Sequence, residues 1–211
     1  MYKTVISKIM LIDSLNKTVN IKIVYYGPAL SGKTTSLKSL FNHFGKLEDV
    51  ISIENSVNRT LFFDYGTIIF QNEHWNLKLH IYSTTGQDFY IITRPTTLKA
   101  IDGVMFIVDS NEAAYERNII SWNELHSYFK DTVRNLPIVI CFNKQDIPNK
   151  FESMRFMEEI NYNDCKNIVV EYTIALNGEG ILTSFENMLK LILQDLTRSE
   201  MVASGSTYSL N

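Results

Sequence analysis

Cysteine is scarce in this chain: of 211 residues only Cys141 and Cys165 carry a thiol. Their separation offers no metal-ligand spacing, and Cys141 lies inside the apolar run Ile138-Val139-Ile140-Cys141-Phe142, where it reads as a small core hydrophobe. A reducing, cytoplasmic setting is the default expectation. Charge of one sign is also missing: 20 Lys and Arg stand against 23 Asp and Glu, a net charge of -3. Such a balance gives no electrostatic reason to expect binding to nucleic acid or to anionic lipid. No uninterrupted apolar stretch approaches the roughly 18 residues of a membrane span. The start Met1-Tyr2-Lys3 matches neither a signal peptide nor a myristoylation site, and no prenylatable cysteine stands near the other end. No direct membrane anchor is expected, so any membrane association would come through a partner. Glycine and proline are few and fall singly at turns, with no internal repeat and no low-complexity linker, so a second domain is not expected. The histidines, His43, His74, His80 and His126, have neither metal-like spacing nor a partnered nucleophile and read as surface or packing residues.

What is present is enough apolar sequence, 45% of the chain, to build one well-buried core. After a β-like stretch from Thr4 to Ile12 and a turn at Ser14 to Lys17, short apolar runs alternate with longer helical patterns. That alternation is the signature of βαβ units around a mainly parallel sheet. Strands are expected near Asn20 to Tyr26, Thr60 to Gln71, Leu77 to Ser83, Gly103 to Val108, Pro137 to Phe142 and Asn167 to Thr173. Helices are expected near Lys33 to Phe44, Glu112 to Lys130, Glu152 to Ile160 and Glu179 to Leu196, the last with Leu182, Phe185, Leu189, Ile192 and Leu196 as its apolar stripe. Residues 72 to 76 are too few for a crossover helix, so the strands on either side of them should pair antiparallel. The expected fold class is therefore α/β, a mixed six-stranded sheet flanked by helices. It would occupy residues 1–197 with an N-terminal β extension over 1–19, and a disordered polar tail would follow over 198–211.

The strongest chemical signal is Gly27-Pro28-Ala29-Leu30-Ser31-Gly32-Lys33-Thr34, a phosphate-binding loop set after an expected strand and before an expected helix. Successive backbone N–H groups from Gly27 through Ala29, Leu30, Ser31, Gly32, Lys33, Thr34 and Thr35 can curl around phosphate oxygens at the helix N-terminus. Lys33 adds a mobile point charge toward the β and γ phosphates, and the Thr34 hydroxyl is offered to magnesium. This loop alone fits kinases and ATPases as well. The base is addressed by Asn143-Lys144-Gln145-Asp146 at the end of an apolar run, which resembles the guanine-specificity motif of Ras-like GTPases. The Asp146 carboxylate can accept from both the ring N–H and the exocyclic amine of guanine, whereas adenine presents neither in that arrangement. A charged acceptor left unpaired costs on the order of 1 to 3 kcal/mol. Asn143 and the stem of Lys144 would hold the loop and pack on the base.

Between these two motifs, Ser83-Thr84-Thr85-Gly86-Gln87 resembles the second switch of Ras-like proteins, except that Ser83 stands where an aspartate is usual. A serine should hold a magnesium-bound water more weakly than a carboxylate, unless another residue compensates. Gly86 is the candidate backbone donor to the γ-phosphate and Gln87 the candidate for orienting the attacking water. The first switch is expected near Arg59-Thr60-Leu61-Phe62-Phe63-Asp64, with Thr60 as the second magnesium ligand. Aromatic residues near the switches, among them Tyr25, Tyr26 and Phe63, could serve a partner or the core equally.

These segments, together with Ile23-Val24-Tyr25-Tyr26-Gly27-Pro28 and Thr85-Gly86-Gln87-Asp88-Phe89-Tyr90, are similar to those of the MglA group of prokaryotic small GTPases, and a non-aspartate residue at position 83 also fits that group. The resemblance runs from about Asn20 to Leu196. It implies a P-loop, Ras-like fold, GTP and GDP as substrate and product, magnesium as the metal, and Arg59 as a built-in arginine finger beside Gln87 and Lys33 in catalysis. It further implies a role in cell polarity or motility through effectors and a roadblock-domain activator of the MglB kind. In the last loop Ile174-Ala175-Leu176-Asn177-Gly178 departs from the usual pattern, so that only the Ala175 N–H toward the guanine oxygen, with Leu176 beside it, carries over. Two other readings compete. A GTP-binding scaffold with negligible hydrolysis is motivated by Ser83, while a nucleotide or small-molecule kinase should show an arginine-rich lid and would not need Asn143 to Asp146.

Overall fold

Two segments, Gly103–Asp109 and Ile138–Asn143, are buried at every residue, as strands covered on both faces must be. They are β6 and β7 of the computed structural model, which describes residues 11–54, 60–84 and 97–203. Around them the chain runs β1 (Leu11–Asp13), β2 (Thr18–Tyr26), α1 (Lys33–His43), β3 (Ile51–Glu54), β4 (Thr60–Gln71), β5 (Asn76–Thr84), β6, α2 (Tyr115–Phe129), β7, α3 (Ser153–Glu159), β8 (Ile168–Tyr172) and α4 (Ile181–Ala203). The strands form one sheet in the order β3-β4-β5-β2-β6-β7-β8, with β1 pairing β2 off that path. Strand β2 is parallel to both β5 and β6, whereas β4 runs antiparallel to β5 and to β3. The chain thus winds to one side of β2 before β6 and to the other side from β6 onward. This reversal is a topological switch point, which opens a crevice at the carboxyl ends of the central strands.

The alternation of side chains along each strand divides the core into two layers. One layer gathers Ile21, Ile23, Tyr25, Leu79, Ile81, Met105, Ile107, Val139 and Cys141 against Leu37, Leu40 and Phe41 of α1 and Phe185, Met188 and Ile192 of α4. The opposite layer sets Val24, Tyr26, Val104, Phe106, Val108, Ile140 and Phe142 against Tyr115, Trp122 and Leu125 of α2 and Phe156 of α3. The spacing of the helical residues in each layer is the three-and-four repeat of an amphipathic helix.

All six expected strands are present, and the β4–β5 pair is antiparallel as its short connection requires. Three details differ. Strand β3 lacks a sequence expectation because four residues, Ile51-Ser52-Ile53-Glu54, are too short for a period-2 pattern to stand out; it forms because β4 supplies a ladder for it. The seam of α4 runs through Ile181, Phe185, Met188 and Ile192, while Leu182 and Leu189 are only half-buried. The same helix continues past Arg198, the expected start of the tail, to Ala203. Extending an existing helix adds one hydrogen bond for each residue fixed, and arginine, glutamate, methionine and alanine are good helix formers. Residues 204–211 lie outside the described residues.

Candidate nucleotide-binding site

The carboxyl ends of β2, β6, β7 and β8 meet in one place, and the residues of the phosphate loop and of the Asn143 to Asp146 motif cluster there. Gly27 follows β2 with φ 141°, and Gly32 caps α1 with φ 99°, both in the left-handed region that favours glycine. Space makes the same demand. A Cβ on Gly27 would run into the Ile107 carbonyl of β6, and one on Gly32 into the Asn143 amide. The loop between them turns through Leu30, itself at φ 64° and exposed, beside half-buried Ala29 and fully buried Ser31. Lys33 is buried, and its Nζ donates to the carbonyls of Gly27 at 3.0 Å and Pro28 at 2.7 Å, so the ammonium is held over the loop. Thr34 and Thr35 follow in the first turn of α1.

Asn143 ties three loops together. Its Nδ2 donates to the Ser31 carbonyl at 2.8 Å, and its Oδ1 accepts from the Thr173 hydroxyl at 3.2 Å and from the Ala175 N–H at 3.0 Å. The residue is 2% exposed. Ala175 therefore differs from expectation: in this structure its N–H, read from the sequence as facing guanine, braces Asn143 instead. The cause is the buried amide of Asn143, which needs partners for both its ends. Leu176 and Asp146 are exposed at the rim. Lys144 has φ 65° and its Nζ meets Asp109 Oδ2 at 2.7 Å.

Beside Thr34 the tertiary structure adds a residue to which the sequence analysis assigned no role. Asp64, in the middle of β4, is fully buried, and its Oδ2 accepts from the Thr34 hydroxyl at 2.5 Å. The β4–β5 register sets Asp64 directly opposite Ser83, whose hydroxyl is also fully buried and has no hydrogen-bond partner among the described residues. A carboxylate and two hydroxyls thus share the ground beside the phosphate loop where a hydrated divalent cation would be received, and hard oxygen donors of this kind suit magnesium. The signal that could have found Asp64 is a lone acid within the apolar strand Leu61-Phe62-Phe63-Asp64-Tyr65. Thr60 is placed by its backbone as the first residue of β4, paired with Glu54. Arg59, Gly86 and Gln87 lie outside the described residues.

Residues 6–192 match the model of the ADP-ribosylation factor family. The chain is also 33% identical over 196 residues to the mutual gliding-motility protein MglA of Myxococcus xanthus (strain DK1622), covering 89% of this chain and 97% of that relative. The chain belongs to the ADP-ribosylation factor family of small GTPases, as an MglA-type member. The guanine nucleotide and its hydrolysis follow from that membership, and the sheet with its phosphate loop at the switch point is the family's fold. For this small GTPase, no helix among the described residues is long and apolar enough to cross a membrane.

Proposed function

We propose that this small GTPase is a GTP/GDP-dependent switch whose nucleotide lies across the loops joined by Asn143, with phosphates on the Gly27 to Thr35 loop and guanine against Lys144 and Asp146. The observation that carries the reading is the Asn143 side chain, which links the phosphate loop to the two loops that would frame the base. Backbone N–H groups of Ala29 to Thr35 and the Lys33 ammonium receive the phosphates, and Asp146 selects guanine through its paired donors.

Thr34 and, when the first switch closes, Thr60 would hold magnesium, with Asp64 supplying from β4 the carboxylate that position 83 lacks. Among the described residues no cluster of three His, Cys, Asp or Glu could hold a metal alone, so the cation would rely on phosphate oxygens for much of its shell. Bound there, magnesium neutralises charge developing on the transferred phosphoryl group. Arg59 stabilises that charge from the first switch on the strength of the MglA resemblance, while Gln87 orients the attacking water and Gly86 donates its N–H to the γ-phosphate on the strength of the Ras-like second-switch pattern. Loss of the γ-phosphate would then release Thr60 and Gly86, and partners would read the difference.

The relative's name associates it with gliding motility, and we extend a role in motility or cell polarity to this chain. It would act in the cytoplasm, with effectors and a roadblock-domain activator that raises a slow intrinsic rate. Asp64, bonded to the Thr34 hydroxyl, supports this reading over a scaffold that barely hydrolyses GTP. The deciding experiment identifies the nucleotide released from purified protein by acid, then measures turnover with and without a roadblock protein. Guanine nucleotide and stimulated turnover are expected. Bound adenine nucleotide would overturn the site assignment, and GTP that persists with the activator would favour the scaffold.

A further inference from the structure

The last residues of β6 and β7, Asp109 and Asn143, are register partners, which brings Asp109 beside Lys144 one residue later. Lys144 Nζ meets Asp109 Oδ2 at 2.7 Å, with the carboxylate side chain 4% exposed and that of the lysine 34% exposed. Asp109 is itself fixed from several sides. Its Oδ1 accepts the Asn111 N–H at 3.1 Å, and the Asn118 side chain of α2 brackets its backbone, accepting from the Asp109 N–H at 3.0 Å and donating to its carbonyl at 2.9 Å. The neighbouring loops are joined as well: the Ser110 N–H donates to the Asn143 carbonyl at 3.2 Å, and Gln145 Nε2 donates to the Ser110 hydroxyl at 2.9 Å. Lys144 stands at φ 65°, a left-handed conformation that a lysine adopts only when its surroundings hold it there.

A buried ion pair is weak evidence for stability, since a well-packed apolar pair can serve as well. What an apolar pair cannot do is aim a lysine. Anchoring the ammonium at its far end confines the whole aliphatic stem to one path, and a free lysine would otherwise lose rotamer freedom on ordering against a base.

We infer that Asp109 is a positioning residue for nucleotide retention: by holding the Lys144 ammonium it keeps the lysine stem laid out as the platform on which the guanine ring rests before the nucleotide arrives. The inference rests on the guanine assignment made above for Asn143 to Asp146. Its expected signature is kinetic, a faster release of nucleotide when the anchor is lost.

The test is the dissociation rate of a fluorescent GDP analogue from the full chain, chased with unlabelled GDP, in wild type, Asp109→Asn, Lys144→Met and the double variant. Asp109→Asn keeps the shape and the bond from Asn111 while removing the charge. It should release the analogue on the order of tenfold faster. The double variant should be no faster than Lys144→Met, because Asp109 acts only through the lysine. Thermal melting of the unliganded proteins separates a folding defect from a positioning one, and the double variant, which carries no unpaired buried charge, keeps the comparison available should Asp109→Asn fold poorly. Wild-type release from Asp109→Asn, or effects that multiply in the double variant, would overturn the role of Asp109. Failure of wild type to prefer the guanine analogue over its adenine counterpart would instead bring down the guanine assignment, and the positioning role with it.

Discussion

Asp64 shows how one side chain alters the reading of another. Taken alone, Ser83 predicts a weakened hold on magnesium, but on the function proposed above the buried carboxylate paired opposite it and bonded to the Thr34 hydroxyl would supply the missing charge from β4. Asp64→Asn preserves the bond from Thr34 and removes only the charge. It should therefore raise the magnesium concentration needed to retain nucleotide by about tenfold, since charge-assisted bonds are roughly twice as strong as neutral ones. Titrating nucleotide release against magnesium checks this, and an unchanged midpoint would return the weakness to Ser83. Cys141 makes a quieter point at this scale. Burial pushes its thiol up to about 12, so it is a packing residue, as its apolar run suggested.

Among elements, the contact between the start of α1 and the end of β7 ties the phosphate loop to the guanine loop. Gly32 permits it, with φ 99° and the Asn143 amide where a Cβ would stand. Gly32→Ala should destabilise the protein by about 2 kcal/mol or more through backbone strain and displaced Asn143, and should lose nucleotide binding with it. Urea unfolding and a binding titration measure the two effects. Across β2, β5 and β4, His80 joins Asn20 at 3.2 Å and the Tyr65 hydroxyl at 3.0 Å. Burial, followed by the nearby Lys78 and Lys22 charges, lowers its pKa below the ordinary value. The unfolded chain then binds the proton more readily, so this contribution to stability is present above about pH 6.5 and is lost as the pH falls through that value toward the folded pKa. The urea midpoint of wild type should drop more between pH 7.5 and 5.5 than that of His80→Gln; equal drops would remove His80 from the account.

For the molecule as a whole, the site belongs to no single element, because four strand ends and the N-terminus of α1 converge on it. Nucleotide should therefore stabilise the entire fold. GDP at about a hundredfold over its dissociation constant adds roughly 2.7 kcal/mol. That corresponds to an increase in Tm on the order of 5 to 10 °C for a domain of this size, whereas ADP at the same concentration should leave the melting curve where it was. Equal shifts from both nucleotides would argue against selection of the base by Asp146.

The parts of this protein legible from residue order are those whose physics is local. A phosphate loop is a run of backbone amides with glycines at its turns, a guanine loop is four consecutive residues, and central strands declare themselves as unbroken apolar runs such as Val104 to Val108. Membership of the small GTPases was readable for that reason, as were the six main strands and the antiparallel pair. What residue order left open depended on register and on partners distant in the chain. Asp64 meets Ser83 only because β4 and β5 pair as they do, Asp109 meets Lys144 only because β6 and β7 end together, and the Ala175 N–H turns to Asn143 because a buried amide must satisfy both its ends. Short edges behave in the same way: β3 exists by virtue of the ladder beside it, and α4 runs past the polar composition that seemed to end it. Local chemistry names the parts, and hydrogen-bond register across the sheet decides which of them touch.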